Sequence, residues 1–367
     1  MNRVLAHIGA RYPILQSPMG WIARTQLASA VSRAGGLGII ETSSGETEAC
    51  QAEINKMKAL NLPFGVNLPI RFLRDDAMLK FVCNSGVKFV TTSAGSPAKF
   101  IAPLKGAGIT VYHAVPTVET AMKCVEAGVD GLVVEGAEGG GFKNPEEVST
   151  LVLLQGIRAR TDVPMVAAGG ICDGRGMAAA FALGAEGIQM GTRFVSCTES
   201  PVHANYKNAI VDAKETGTLV LNKKSTPCVR ALKSERTRAI HDEGLMAPDA
   251  LKGIREVYFG GDMEAAPALA GQSAGLIDEV KSAQQIIEET VAQFFAITGR
   301  LGGWFSSGPY LLKCQTPRWY ASQASRRSGG LRNARCCSAS ANAGSMTPAT
   351  LAVISSCTAK ISLRSRS

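Results

Sequence analysis

Eight short apolar runs, each closed by a Gly, Ser or Asn loop and followed by a helix-like stretch, constrain this chain more than any other feature. They are "YPILQ" (12–16), "LGIIE" (37–41), "FGVNLPI" (64–70), "KFVTTS" (88–93), "ITVYHAV" (109–115), "GLVVEG" (131–136), "PMVAAGG" (164–170) and "GIQMGTRF" (187–194). Between them, segments such as "RTQLASAVSRAG" and "TVETAMKCVEAG" place apolar residues at three-to-four spacing and stop at glycine, which is how helices end. Eight strand–helix units at intervals of roughly 20 to 30 residues predict an α/β fold, a parallel (β/α)8 TIM barrel, rather than an open doubly wound sheet. Residues 205–265 break the rhythm with charged helix-like segments. They are read as a small helical insertion near the C-terminus that covers the rim of a barrel made by 1–204 and 266–302. From 303 to 367 the chain lacks periodicity and is poor in large apolar residues, a composition typical of disorder; a shifted reading frame would also produce it.

Charge supports that division. The total is +9, but ten Lys and Arg residues and no Asp or Glu follow Glu289, so the rest holds 29 basic against 30 acidic residues. An electrically ordinary body is not the footprint of a nucleic-acid binder. The cysteines are scattered without metal-ligand spacing, and no run approaches the roughly 20 apolar residues that span a bilayer. The expectation is a cytoplasmic protein that works on a small molecule, without nucleic acid, membrane or metal.

In a barrel, chemistry belongs to the loops after the strands. The most informative stretch is "VPMVAAGGICDGRGMAAAFALGAEGIQMGTRF". Gly169 and Gly170 end the seventh strand and Asp173 can cap the next helix, while "MGT" (190–192) ends the eighth. Loops after strands seven and eight form the usual phosphate site of barrels, where backbone N–H groups and a helix N-terminus meet the dianion. Thr192 can add a hydroxyl. "GRGMAA" (174–179) mimics a dinucleotide fingerprint, but the following strand ends "IQMGT" without the acidic residue that would hold a ribose.

These blocks, together with "PILQSPMGW", "PFGVNLPI", "VKFVTTSAGSP", "EGAEGGGF", "ESPVHANYK" and "LAGQSAGLI", run in order over about residues 10 to 300. They resemble the nitronate monooxygenase family of FMN-dependent barrels and are similar to the FMN-dependent enoyl-acyl-carrier-protein reductases. The resemblance implies FMN at the rim. It puts Asn67 against the flavin ring, Glu135 near it, Met19 and Gly20 at the end of the first strand, and Gly140, Gly169, Gly170, Gln189, Met190, Gly191 and Thr192 around the cofactor and its phosphate. NAD(P)H is left open as a co-substrate.

One position departs from the family pattern. Family members usually read "EAGGH" in the sixth loop, the histidine serving as base; this chain reads "EGGGF", so Phe142 stands in its place, and a phenyl ring cannot move a proton. His113, at the end of the fifth strand, is the candidate substitute if alternation turns it into the barrel mouth rather than the helix layer. His203, on the helix after strand eight, is read as a packing or capping residue, and Glu138 is a weaker candidate. Oxidising a neutral nitroalkane requires a base, and reducing an enoyl thioester requires a proton donor. Oxidising a preformed nitronate, or taking hydride from a nicotinamide, requires neither. The expected activity is therefore nitronate oxidation with O2. An NAD(P)H-dependent flavin oxidoreductase for quinones or enoyl thioesters is the alternative within the class, and a non-catalytic flavin- or phosphosugar-binding barrel the alternative outside it.

Overall fold

The structure, a computed structural model, describes residues 1–306; the segment expected to be a disordered tail lies outside the described residues from 307 onward. Eleven strands are present among the described residues: β1 (Ile14–Gln16), β2 (Gly38–Ile40), β3 (Phe64–Pro69), β4 (Phe89–Ser93), β5 (Thr110–Val115), β6 (Gly131–Glu135), β7 (Gly141–Phe142), β8 (Met165–Ala168), β9 (Gly187–Met190), β10 (Thr218–Leu221) and β11 (Val229–Leu232). The helices are α1 (Arg3–Ile8), α2 (Thr25–Arg33), α3 (Thr47–Ala59), α4 (Ala77–Ser85), α5 (Ala98–Gly106), α6 (Val118–Glu126), α7 (Thr150–Arg158), α8 (Gly174–Ala182), α9 (Thr192–Val195), α10 (Ala204–Val211), α11 (Glu235–Glu243) and α12 (Ala283–Ser306).

All eight expected strands form. They pair in parallel in the order β1-β9-β8-β6-β5-β4-β3-β2. Closure comes from a parallel bridge between Leu15 and Leu37, with Gln16 N–H donating to the Leu37 carbonyl at 2.9 Å and Leu37 N–H to the Ile14 carbonyl at 2.9 Å. The sheet is thus a TIM barrel with helices outside it.

Period-two alternation separates two cores. Leu15, Leu37, Ile39, Phe89, Tyr112, Val133, Val166 and Ala168 turn inward and pack with Val4 and Ile8 of α1, which closes the N-terminal end. Their neighbours Ile14, Ile40, Val66, Val90, Val111, Leu132, Met165 and Ile188 join the larger core between sheet and helices. Inside, the Phe89 and Tyr112 rings lie 5.0 Å apart, and the Tyr112 hydroxyl reaches His7 Nδ1 at 2.9 Å. The final helix completes the outer ring. Gln293 of α12 accepts from Gly174 N–H at 2.8 Å, and the rings of Phe181 and Phe294 meet edge to face at 5.1 Å.

Residues 205–265 hold α11 and most of α10, as the charged pattern suggests, and also a hairpin, β10–β11, that the pattern did not reveal. The hairpin adds β7 to make a three-stranded antiparallel sheet, with Phe142 opposite Val229 and Gly141 opposite Arg230. β7 lies within the glycine loop after β6, so the insertion grips that loop by main-chain bonds. No helix among the described residues is long and apolar enough to cross a membrane.

Candidate active site

Following the inward-facing parity up each strand, the barrel interior changes from apolar to polar. Asn67 on β3, Thr91 and Ser93 on β4, Glu135 on β6 and Gln189 on β9 share the parity of the interior residues Phe89, Val133 and their neighbours, and sit at the C-terminal ends of their strands. Asn67 is only 4% exposed. Its Oδ1 accepts from the hydroxyls of Thr91 (3.0 Å) and Ser93 (3.4 Å), and its carbonyl from Thr42 (2.7 Å). With the oxygen occupied, the Nδ2 amide is the end left to donate to a ligand. Gln189 is the mirror case: Nε2 donates to Ser17 Oγ at 3.2 Å, while Oε1 is buried with no partner. A buried amide oxygen without a donor is costly unless something supplies one.

The end of β8 turns through Gly169 (φ 92°) and Gly170 (φ 72°), left-handed conformations that other residues adopt at a cost. A cavity of about 310 Å³ borders this turn, lined by Glu138, Thr150, Gly169, Gly170, Gln272 and Ser273 among others. The start of α8 is already filled. Asp173 accepts from Arg175 N–H and Gly176 N–H at 2.8 and 3.1 Å, and Gln293 takes Gly174 N–H. The main-chain N–H groups of Gly170, Gly191 and Thr192, in contrast, have no acceptor among the described residues. An anion would therefore meet the two glycine turns rather than the α8 terminus. Thr192 Oγ1 accepts from Gly271 N–H at 2.9 Å, which ties the 270–271 segment to the start of α9.

The sixth loop closes the mouth from the other side. Phe142 is 48% exposed, and its ring lies 5.4 Å from that of Phe72, itself 42% exposed, in the turn after β3. Lys143 turns the opposite way: its side chain is 4% exposed and pairs with Glu135. Glu138 is bound by the Thr150 main chain and hydroxyl, at 2.9 to 3.1 Å, at the start of α7. Both carboxylates of the loop are thus engaged.

Three expected site residues have surroundings the sequence did not reveal, and for His113 they reverse the expected direction. His113 has the parity of Val111 and Val115, which belong to the outer core, so it faces the helix layer and not the mouth. It is 1% exposed, its Nδ1 pairs with Thr92 Oγ1 at 2.7 Å, the ring also bonds to the Gly95 backbone, and burial lowers it from the usual 6.5 to about 4. It is a satisfied structural histidine. The Met190 side chain also lies in the outer core, and its carbonyl is taken by Ser17 N–H at 2.9 Å, so Met190 presents no side chain to a ligand in the mouth. Gly140 is glycine for a reason other than room for a ligand: a Cβ there would lie 2.6 Å from Ala270 C and Gly271 N.

The remaining residues come together around the mouth. Met19 follows β1, with its Sδ 3.9 Å from where a Cβ on Gly191 would lie, and Gly20 approaches Ser43 of the next loop. Sequence reasoning marked Ser17, Thr91 and Ser93 only as parts of the strand-end stretches "SPMGW" and "TTSAG", and it did not single out Phe72, Lys143 or Gly271. The parity of β4 was the available signal for Thr91 and Ser93; nothing local marks Phe72 or Gly271.

The sequence pattern of nitronate monooxygenases matches residues 2–80 and 70–293. The chain belongs to the nitronate monooxygenase family. It is 31% identical over 332 residues to (3aS,4S,5R,7aS)-5-hydroxy-7a-methyl-1-oxo-octahydro-1H-indene-4-carboxyl-CoA dehydrogenase of Mycobacterium tuberculosis, covering 77% of this chain and 93% of that protein. It is also 31% identical to nitronate monooxygenase of Pseudomonas aeruginosa, over 77% of this chain and 96% of that protein. The structure of FabK from Thermotoga maritima superposes with a TM-score of 0.79 at 38% identity, covering 83% of this chain and 99% of that one. Nitronate monooxygenase family members and their FabK-like relatives are FMN-binding oxidoreductases, and the residues present here suit such a group. The unpartnered Gln189 Oε1 awaits a donor such as a flavin imide, the Asn67 amide can donate to a ring carbonyl or nitrogen, and the free N–H groups at Gly170, Gly191 and Thr192 suit a phosphate.

Proposed function

We propose that this protein is an FMN-dependent oxidoreductase of the nitronate monooxygenase type that oxidises alkyl nitronates with O2. In this reading Asn67 and Gln189 orient the flavin ring from opposite sides of the interior, and Gly169, Gly170, Gly191 and Thr192 hold the phosphate, with Met19 and Gly20 flanking the ring. Bound flavin supplies the redox chemistry. The chain's own residues set which substrates can react.

One observation carries the choice of substrate. The protein has four histidines, and none is bonded to a polar residue of the mouth: His7 meets Tyr112 at the closed end, His113 faces the helix layer, His203 caps α10 and His241 reaches the Val220 carbonyl. With Glu135 paired with Lys143 and Glu138 bonded to Thr150, none of these histidines or carboxylates stands at the mouth as a free base among the described residues. A nitronate is already deprotonated and needs none, whereas a neutral nitroalkane does. Turnover with propyl-2-nitronate should exceed that with 2-nitropropane by a wide margin in steady-state oxygen uptake. Equal rates would refute the reading.

A second reading, NAD(P)H-linked flavin oxidoreduction of a thioester, draws support from the indene-4-carboxyl-CoA dehydrogenase relative. Anaerobic mixing with NADH or NADPH separates the two: rapid bleaching of flavin absorbance supports the thioester reading, and its absence supports nitronate oxidation. A protein that stays colourless after reconstitution with FMN would remove both.

A further inference from the structure

We propose that Phe72 and Phe142 form an aromatic bridge over the barrel mouth, and that this bridge selects substrates whose anionic head carries an extended apolar body. The proposal rests on the flavin oxidoreductase reading above and names the class of substrate that suits it.

The bridge follows from the topology. Phe72 ends the turn Ile70–Phe72 that follows β3, and Phe142 belongs to the loop after β6. In the barrel order, β4 and β5 lie between the two strands that carry these loops, yet the ring centroids are 5.4 Å apart. Loops so far apart around an eight-stranded barrel meet by reaching over the ends of the strands between them. The contact therefore passes above β4 and β5, on the side of the mouth where Thr91 and Ser93 of β4 donate to Asn67.

Main-chain bonds set both rings before any ligand arrives. Arg71 N–H, next to Phe72, donates to the Ala94 carbonyl in the loop after β4 at 3.0 Å. Ile70 packs so closely on the same loop that a Cβ on Gly95 would lie 3.0 Å from Ile70 Cγ2. On the other side Phe142 is held opposite Val229 by the ladder to β11. Two apolar surfaces fixed in advance cost little further ordering when a ligand packs on them.

What the rings lack is cover. Phe72 and Phe142 are 42% and 48% exposed, and they meet at an interplanar angle of 43°, so neither ring hides the face of the other. Other exposed large apolar side chains, such as Leu151 on α7 and Phe295 on α12, stand on the outer helices; this pair stands at the mouth. Phe142 also occupies the place of the family's histidine, so this chain has exchanged a proton acceptor for apolar surface at the same point. An alkyl body behind a head bound in the mouth packs against that surface, and each methylene it buries there is worth about threefold to fourfold in affinity. A short polar substrate gains nothing from it.

Straight-chain carboxylates from acetate to octanoate serve as unreactive probes, because a carboxylate matches a nitronate head in planarity and charge. Their binding to the FMN-loaded protein is titrated through the perturbation of flavin absorbance in the wild type, Phe72→Ser, Phe142→Ser and Phe72→Leu, with circular dichroism of each protein. The expected result is a wild-type affinity that rises about threefold per methylene from butyrate to octanoate. Phe72→Ser and Phe142→Ser should each weaken octanoate binding about tenfold more than acetate binding, while Phe72→Leu, which keeps an apolar side chain, retains most of the rise. A flat series in the wild type, no flavin perturbation by any carboxylate, or equal weakening of acetate and octanoate in the serine variants would overturn the proposal while leaving the flavin reading intact. Failure of the wild-type protein to bind FMN would instead remove the reading on which the proposal rests.

Discussion

Phe142 shows how one side chain can set the limits of a site. The phenyl ring gives the mouth an aromatic partner for Phe72, a contact worth about 0.5 to 1.5 kcal/mol beyond area burial when fully packed and less here, where both rings are nearly half exposed. It gives nothing that accepts a proton. Phe142→His should therefore raise turnover of neutral 2-nitropropane by tenfold or more, with smaller change for the nitronate, because a positioned general base contributes about 10² to 10⁴. Initial rates of oxygen uptake on the two substrates check this. Thr192 is the second informative residue. Its Oγ1 holds the buried N–H of Gly271, so Thr192→Val, which keeps the shape and removes the acceptor, should cost about 1 to 3 kcal/mol in urea unfolding.

The hairpin β10–β11 matters as an element because it captures the sixth loop rather than merely lying over it. Its ladder to β7, the Lys143 N–H bond to the Cys228 carbonyl and the Arg230 contacts to Ala137 and Glu147 act on one short segment. Val229 sits in the central strand of this sheet, where proline cannot supply the ladder donor. Val229→Pro should speed amide exchange at 139–143 by tenfold or more in hydrogen–deuterium exchange, while leaving β3 to β6 protected. Slowed or unchanged exchange there would mean that the loop is held by its own turns.

Across the whole molecule, His113 links the barrel wall to acid stability. Burial between sheet and helices depresses it from the usual 6.5 to about 4, so in the window between these values the unfolded chain binds the extra proton and the folded chain does not. The folded state loses stability as pH falls through that window, by a few kcal/mol at its lower end, since each pKa unit is about 1.4 kcal/mol. His113→Asn should flatten this part of the profile in urea melts compared at pH 7.5 and pH 5. The histidine that sequence offered as a catalytic base is thus expected to show itself in stability and not in the pH dependence of turnover.

The barrel was legible from the sequence because its determinants are local: apolar runs of strand length recur eight times, and most of the helices between them carry one apolar face and stop at glycine. That Asn67, Gln189 and the glycine turns at 169–170 and 191 lie at strand ends was legible for a related reason, since they close those same units. What local pattern could not decide was orientation and partnership. Strand parity alone allowed His113 to face either way, and only its packing beside Val111 and Val115 turned it outward; Gly140 showed its reason only against Ala270 and Gly271, 130 residues away in the chain. The same holds for Lys143, an unremarkable loop residue by sequence, which a strand from a distant insertion sets against Glu135. The sequence by itself determined the repeating scaffold and where its rim would be, and the tertiary structure alone decided which side chains face that rim, because main-chain pairing across long separations fixes what local periodicity leaves two-fold.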